Sequence, residues 1–224
     1  MIVVYLFEML TAFVFFSRIY ERKKNLSITI LTGLLLFILG SVVFNSFKNS
    51  EILNLTVFFI INLVYALICF NVSFKNAVSQ SAILTVVMFS TEVITIFLLS
   101  VIMNIPAAKY KSDIHVYIFL VSICKLAYYI LSQLISLVII KTEHKNNDIK
   151  QSLPLFIFPL LTIVSNVLFL STSLKTDLSA IYKITTSVVC VLYIVASVFM
   201  FVYYQTLANK ESKINELESE KRLY

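Results

Sequence analysis

Three ionisable side chains, Glu8, Glu92 and Lys125, each sit inside a long apolar run of the chain. A charge in such a setting is costly, so it pairs with an opposite charge, faces a polar interior, or serves signalling or transport. Glu92 lies eleven positions before Met103 and Lys125 eleven after Ile114, at facing ends of two consecutive runs. At 1.5 Å per residue each is about 16 Å deep, roughly mid-bilayer. The spacing predicts a Glu92–Lys125 ion pair. Such a pair either neutralises two buried charges and fixes helix register, or acts as a switch when the helices rearrange. Glu8, in the outer half of the first run, faces a ligand cavity or snorkels towards the headgroups. Asn62 and Asn166, near the middles of their runs, suit interhelical hydrogen bonds better than ligand binding. Pro154 fits a helix start, and Pro159 is expected to kink its helix or remove one backbone bond.

Other chemistry finds little footing. Gly33 and Gly40 are the only glycines, too few for a Walker A loop, a dinucleotide fingerprint or a glycine-rich ATP lid. No GxSxG or HExxH occurs, and no Cys/His pair is placed for nucleophilic catalysis. Cys69, Cys124 and Cys190 all lie in apolar runs, with no CxxC and no nearby histidine, and read as small packing residues. His115 and His144 have no metal-ligand spacing. The sequence therefore predicts no metal, no cofactor and no catalysis.

The elements that must position these groups are membrane helices. Of 224 residues, 59% are hydrophobic and 13% charged, about half the charge of an ordinary globular domain. Seven runs match the roughly 20 residues that a 30 Å hydrocarbon core requires: 2–19, 26–45, 52–71, 77–103, 114–140, 152–173 and 181–204. The first is shortest and carries Glu8, which leaves six spans as the alternative. The fourth is over-long, as a tilted span would be. The expected fold is thus an all-α, seven-helix transmembrane bundle with a cytoplasmic C-terminal helix. Its two parts are a membrane domain, 1–204, and an output helix, 205–224.

Charge sets the expected orientation. The formal net charge is +6, but the basic residues fall in short connections and so read as topology determinants, with no nucleic-acid partner implied. Twelve Lys and Arg lie on one side (Arg18, Arg22, Lys23, Lys24, Lys75, Lys141, Lys145, Lys150, Lys210, Lys213, Lys221, Arg222) and five on the other (Lys48, Lys109, Lys111, Lys175, Lys183). That places the C-terminus in the cytoplasm and, with seven spans, the N-terminus outside. The basic cluster following the first run favours an N-outside anchor over a cleavable signal. Tyr5, Tyr20, Tyr110, Tyr117, Tyr182, Tyr203 and Tyr204 mostly flank spans, as an interfacial aromatic belt would. The outer connections, 45–51, 104–113 and 174–180, are too short for a folded extracytoplasmic domain. Any outside signal must be met by these loops and the upper halves of the helices.

From Gln205 the sequence becomes polar and rich in helix formers. Met200, Tyr203, Leu207, Lys210, Ile214, Leu217, Lys221 and Tyr224 follow alternating three- and four-residue steps, a heptad seam with Leu207, Ile214 and Leu217 as its apolar members. It reads either as a solvated terminal helix or as the first heptads of a parallel dimeric coiled coil. The pattern stops without a cap at Tyr224, which suggests that something follows.

Three stretches, ISLVIIKTEHKNNDIK, SLPLFIFPLLTIVSN and VFMFVYYQTLANKESKINELESEKRLY, resemble the sensor half of bacterial accessory-gene-regulator-like, GHKL-type sensor histidine kinases. The resemblance spans the whole chain in architecture, and hydrophobic pattern carries most of it. It implies a seven-helix quorum-sensing receptor module, a homodimer in the lipid membrane that detects a secreted peptide pheromone. In such kinases the charged helix leads to the phospho-accepting histidine and an ATP-binding domain, and no histidine follows His144 here. A small transporter or permease subunit using Glu92 and Lys125 is the alternative, weakened by the lack of a repeat and of glycine-broken spans. A membrane partner that docks another subunit through its tail is a third.

Overall fold

The computed structural model describes residues 2–46, 51–103, 114–142, 153–175 and 178–221. Lys48, Lys109, Tyr110, Lys111, His144, Lys145, Lys150, Arg222 and Tyr224 lie outside the described residues. The described residues form seven α-helices and no strand: α1 (Ile2–Ile19), α2 (Leu26–Ser46), α3 (Glu51–Cys69), α4 (Phe74–Ile102), α5 (Ile114–Thr142), α6 (Leu153–Lys175) and α7 (Ala180–Lys221). The class is an all-α, membrane-like bundle. Among the described residues, α2, α4, α5 and α7 are long and apolar enough to cross a membrane, and α3 is a shorter apolar helix. α6 continues through Pro159 as one helix.

The hub is α4, which packs against α3, α5, α6 and α7, while α1 bridges α2 and α5. Its sequence explains the role. Ser79, Ser81, Thr85, Ser90, Thr91, Thr95 and Ser100 are all buried. Small hydroxyl residues let neighbouring backbones approach closely, and their hydroxyls can bond carbonyls of their own helix, as Thr85 does to Ser81 and Thr95 to Thr91. α2 is peripheral and turns Leu31, Leu35, Leu39 and Val42 outward, as a helix facing lipid does.

Close approach also explains the two glycines, seven residues apart on one face of α2. A Cβ at Gly33 would meet Met9 Cε at 2.8 Å and the Tyr65 ring at 3.1 Å, whereas at Gly40 the one close contact is the Ile61 Cδ1 methyl. Tyr65 is fully buried and sits in a web of edge-to-face rings with Phe16, Phe37 and Phe70 from α1, α2 and the α3–α4 connection. Gly33→Ala is therefore expected to cost about 1–2 kcal/mol through overpacking. Gly40→Ala should be near neutral, since one rotating methyl gives way and alanine gains up to about 1 kcal/mol of helix propensity. Thermal unfolding of both variants in lipid nanodiscs checks the contrast.

At the basic end, the α1–α2 and α3–α4 connections zip together. Lys23 N donates to Cys69 O at 2.8 Å and Asn71 N to Glu21 O at 2.9 Å, flanking a single antiparallel bridge between Arg22 and Phe70. The Lys23 ammonium donates to Leu67 O at 2.9 Å, so a cation satisfies one of the free carbonyls at the C-terminus of α3. Ser73 caps α4 by accepting from Asn76 N.

Candidate functional site

α1 and α5 both begin at the end of the bundle opposite the zipped connections, and α4 finishes there. Lys125 of α5 closes its ion pair with Glu8 of α1 at 2.5 Å, which corrects the expected Glu92–Lys125 pair. Side-chain direction explains the choice. A helical Cα–Cβ bond tilts towards the helix N-terminus, so Lys125 leans back along α5 towards the level of Glu8. Counted from their own helix starts, Glu8 is about 9 Å deep and Lys125 about 16 Å, a gap that the four-carbon lysine stem can span. Glu92 is on α4, which runs the other way, so its side chain leans away from the Lys125 ammonium. It remains close enough for its charge to act on both Glu8 and Lys125.

Glu8 is buried within the bundle, 5% exposed, with its carboxylate on Lys125. Around the pair, Tyr5 donates to Asn54 Oδ1 at 3.0 Å, tying α1 to α3. Tyr5 is thus a buried structural donor, which corrects its expected place in an aromatic belt. Tyr128 lies one turn below Lys125 on α5, fully buried against Phe58, and its hydroxyl has no partner. Cys124, one residue before Lys125, is buried in α5.

The two asparagines differ. Asn166 bridges three helices: its Nδ2 donates to Ser90 Oγ of α4 at 2.8 Å, and its Oδ1 accepts from the Cys190 thiol of α7 at 3.2 Å. Asn62 does not bridge helices. Its Nδ2 donates to Phe58 O, one turn back in α3, and its Oδ1 is buried without a partner. The three cysteines are free and buried.

Lys183, counted with the outer-side cations and lying near the start of the run 181–204, occupies the first turn of α7, 8% exposed, and donates to Ser100 Oγ of α4 at 2.8 Å. The upper part of α7 is therefore fastened to α4 at two levels, through Lys183–Ser100 and through Cys190–Asn166–Ser90. Below them α7 continues unbroken across residues 204 and 205, and Leu207, Ile214 and Leu217 are all exposed. A surface hollow of about 880 Å³ lies at the zipped end of the bundle, the end towards which α7 runs, lined by Arg18, Tyr20, Arg22, Lys24 and neighbours, away from the Glu8–Lys125 pair.

The helical architecture and the intramembrane charge cluster define the class: a membrane-type α-helical bundle with a polar site between α1, α4 and α5. No family model, no curated protein and no solved structure matches the chain.

Proposed function

We propose that the chain is the receptor module of a two-component, quorum-sensing-type system. It takes a peptide or another membrane-accessible signal near the Glu8–Lys125–Glu92 cluster and passes it through α7. The N-terminus lies outside and the C-terminal helix in the cytoplasm, as the basic residues of the connections favour. The observation that carries the reading is the continuity of α7. Its 42 residues span about 63 Å, twice the hydrocarbon thickness. One rigid rod thereby joins the segment held on α4 to an exposed apolar seam. A ligand that favours one arrangement of α7 on α4 shifts the population of tail positions.

The seam suits a second copy of the chain. With Leu207 and Ile214 at a positions and Leu217 at d, Ile214 and Leu217 make the a–d pair that favours two-stranded parallel coils, while Lys210 at d and Lys221 at a are the polar positions of the seam. In that register Lys213 at g stands five residues before Glu218 at e, both exposed, and would meet the other chain's Glu218. The transporter reading draws on Glu92 beside an ion pair, but it gives the protruding seam no role.

Single cysteines at Leu207, Ile214 and Leu217, in a background lacking Cys69, Cys124 and Cys190, test the reading in membranes. Strong disulfide crosslinking at all three, weak at Lys213, is the expected result. No crosslinking in well-expressed protein would set the receptor reading aside.

A further inference from the structure

The hollow at the zipped end is walled by the last turn of α1, the α1–α2 connection and the first turn of α2. Its lining carries Arg18, Arg22 and Lys24 against one carboxylate, Glu21. All three cations are exposed, and among the described residues none of them is paired with a carboxylate. Lys23, the remaining cation of this connection, is committed to Leu67 O. Asn25, Leu26 and Ser27 also line the hollow, so the N-terminus of α2 adds its own preference for negative charge. The wall is held before any ligand arrives. The backbone of Glu21 and Lys23 is bonded to the α3–α4 connection, and Gln80 of the hub helix donates to the Tyr20 hydroxyl. A site fixed in this way loses little further entropy on binding.

Position narrows the choice of anion. Apolar α1 ends at Ile19 and apolar α2 begins at Leu26, so the hollow sits where hydrocarbon gives way to headgroups. From its rim α2 turns Ile28, Leu31, Leu35 and Leu39 outward, an exposed stripe at three- and four-residue steps. The stripe is about 16 Å long, roughly half the hydrocarbon thickness and so the depth of one leaflet. A cationic hollow opening onto an apolar stripe of that length fits an amphiphile with an anionic head. A zwitterionic head would bring its ammonium into the same positive field.

We infer that the hollow binds the phosphate of an anionic phospholipid, with an acyl chain lying along the outer face of α2. Arg18 and Arg22 hold the phosphate oxygens through charge-assisted hydrogen bonds, and Lys24 adds a third positive charge. The Ser17 hydroxyl, buried at the wall without a partner, gains an acceptor when it turns to the phosphate. The site goes beyond the receptor reading and does not rest on it, since it needs only a membrane around the bundle.

The three buried cysteines make a thiol-reactive dye a direct reporter of unfolding. The full chain in dodecyl maltoside micelles is heated with dioleoyl-phosphatidylglycerol, with dioleoyl-phosphatidylcholine, or with inorganic phosphate, all at equal ionic strength. The expected result is a saturable rise in the unfolding midpoint of roughly 2–4 °C with phosphatidylglycerol alone. Arg18→Gln/Arg22→Gln should weaken the apparent affinity about tenfold or more. Lys210→Gln/Lys213→Gln, which removes the same charge from exposed positions of α7, should leave the rise in place. No saturable rise, an equal rise with phosphatidylcholine, or the same rise in the arginine variant would overturn the site. An equal loss in the lysine variant would overturn it too, by reducing the effect to net charge. An equal rise with inorganic phosphate would assign the hollow to a free anion and reject the lipid. If the arginine variant does not accumulate, phosphatidylglycerol carrying a photoreactive headgroup is crosslinked to the unaltered protein. Adducts concentrated within residues 17–27 are then required, and adducts spread evenly over the basic connections would reject the site.

Discussion

Lys125→Met is expected to lower the stability of the bundle by about 3–5 kcal/mol, because it leaves the Glu8 carboxylate buried without its counter-ion. In a chain of this size that corresponds to about 6–20 °C in the unfolding midpoint. Glu8→Gln should cost less, since the long lysine stem can carry the ammonium towards the headgroups or towards Glu92. The double variant Glu8→Gln/Lys125→Met removes both charges and should recover most of the loss, because replacing a whole buried pair by uncharged groups is often nearly neutral. The cycle has a second use. A parallel cycle with Glu92→Gln and Lys125→Met measures the neighbouring carboxylate, and its coupling energy should be the smaller of the two. Equal or reversed couplings would show that Lys125 resides on Glu92 in the membrane and would refute the pairing described above.

That pairing marks where the sequence stops being legible. Apolar run length was enough for the helices: α1 ends at the expected Ile19 and α5 begins at the expected Ile114, because a polar or basic stretch interrupts each run abruptly there. The charged residues were equally visible, since a Glu or Lys inside an apolar run stands out. Their pairing was not, because run spacing gives depth along a helix and says nothing of which helices touch. Adjacent α4 and α5 do pack together, but so do α1 and α5, which are four elements apart. One physical signal was available: the N-terminal tilt of helical side chains sends Lys125 towards Glu8 and Glu92 away. Asn62 was misplaced for a related reason. Its amide has a carbonyl of its own helix within reach, and local bonds of that kind compete with interhelical ones. Lys183 lay inside the expected run 181–204, but nothing in the sequence named Ser100 of α4 as the hydroxyl that lets it be buried there. The polar face of α5, with Lys125, Tyr128, Ser132 and Ser136 at three- and four-residue steps, could have been read directly from the pattern.

Asn166→Leu should produce the other large effect, for a different reason. The asparagine is uncharged, and its replacement fills the space, so the loss is that of two hydrogen bonds between α6 and its neighbours. Ser90 can turn its hydroxyl to a carbonyl of its own helix, whereas the Cys190 thiol is a weak donor. The expected cost is therefore about 1–2 kcal/mol, the upper part of the range for polar ties inside membrane bundles. Ser90→Ala should show strong non-additivity with Asn166→Leu, while Gly40→Ala, on the far side of the bundle, should add independently. The consequence for the tail is larger than the stability change implies. With Asn166 gone, α7 keeps its Lys183–Ser100 contact above and loses the tie at Cys190, so its lower half is held on α4 by apolar packing alone. In the receptor reading this loosens the coupling between bundle and seam, and crosslinks at Leu207, Ile214 and Leu217 should lose their contrast with Lys213. Retained contrast, in a variant destabilised by the expected amount, would mean that α7 is oriented by its pairing with a second copy and not by its fastening to α4.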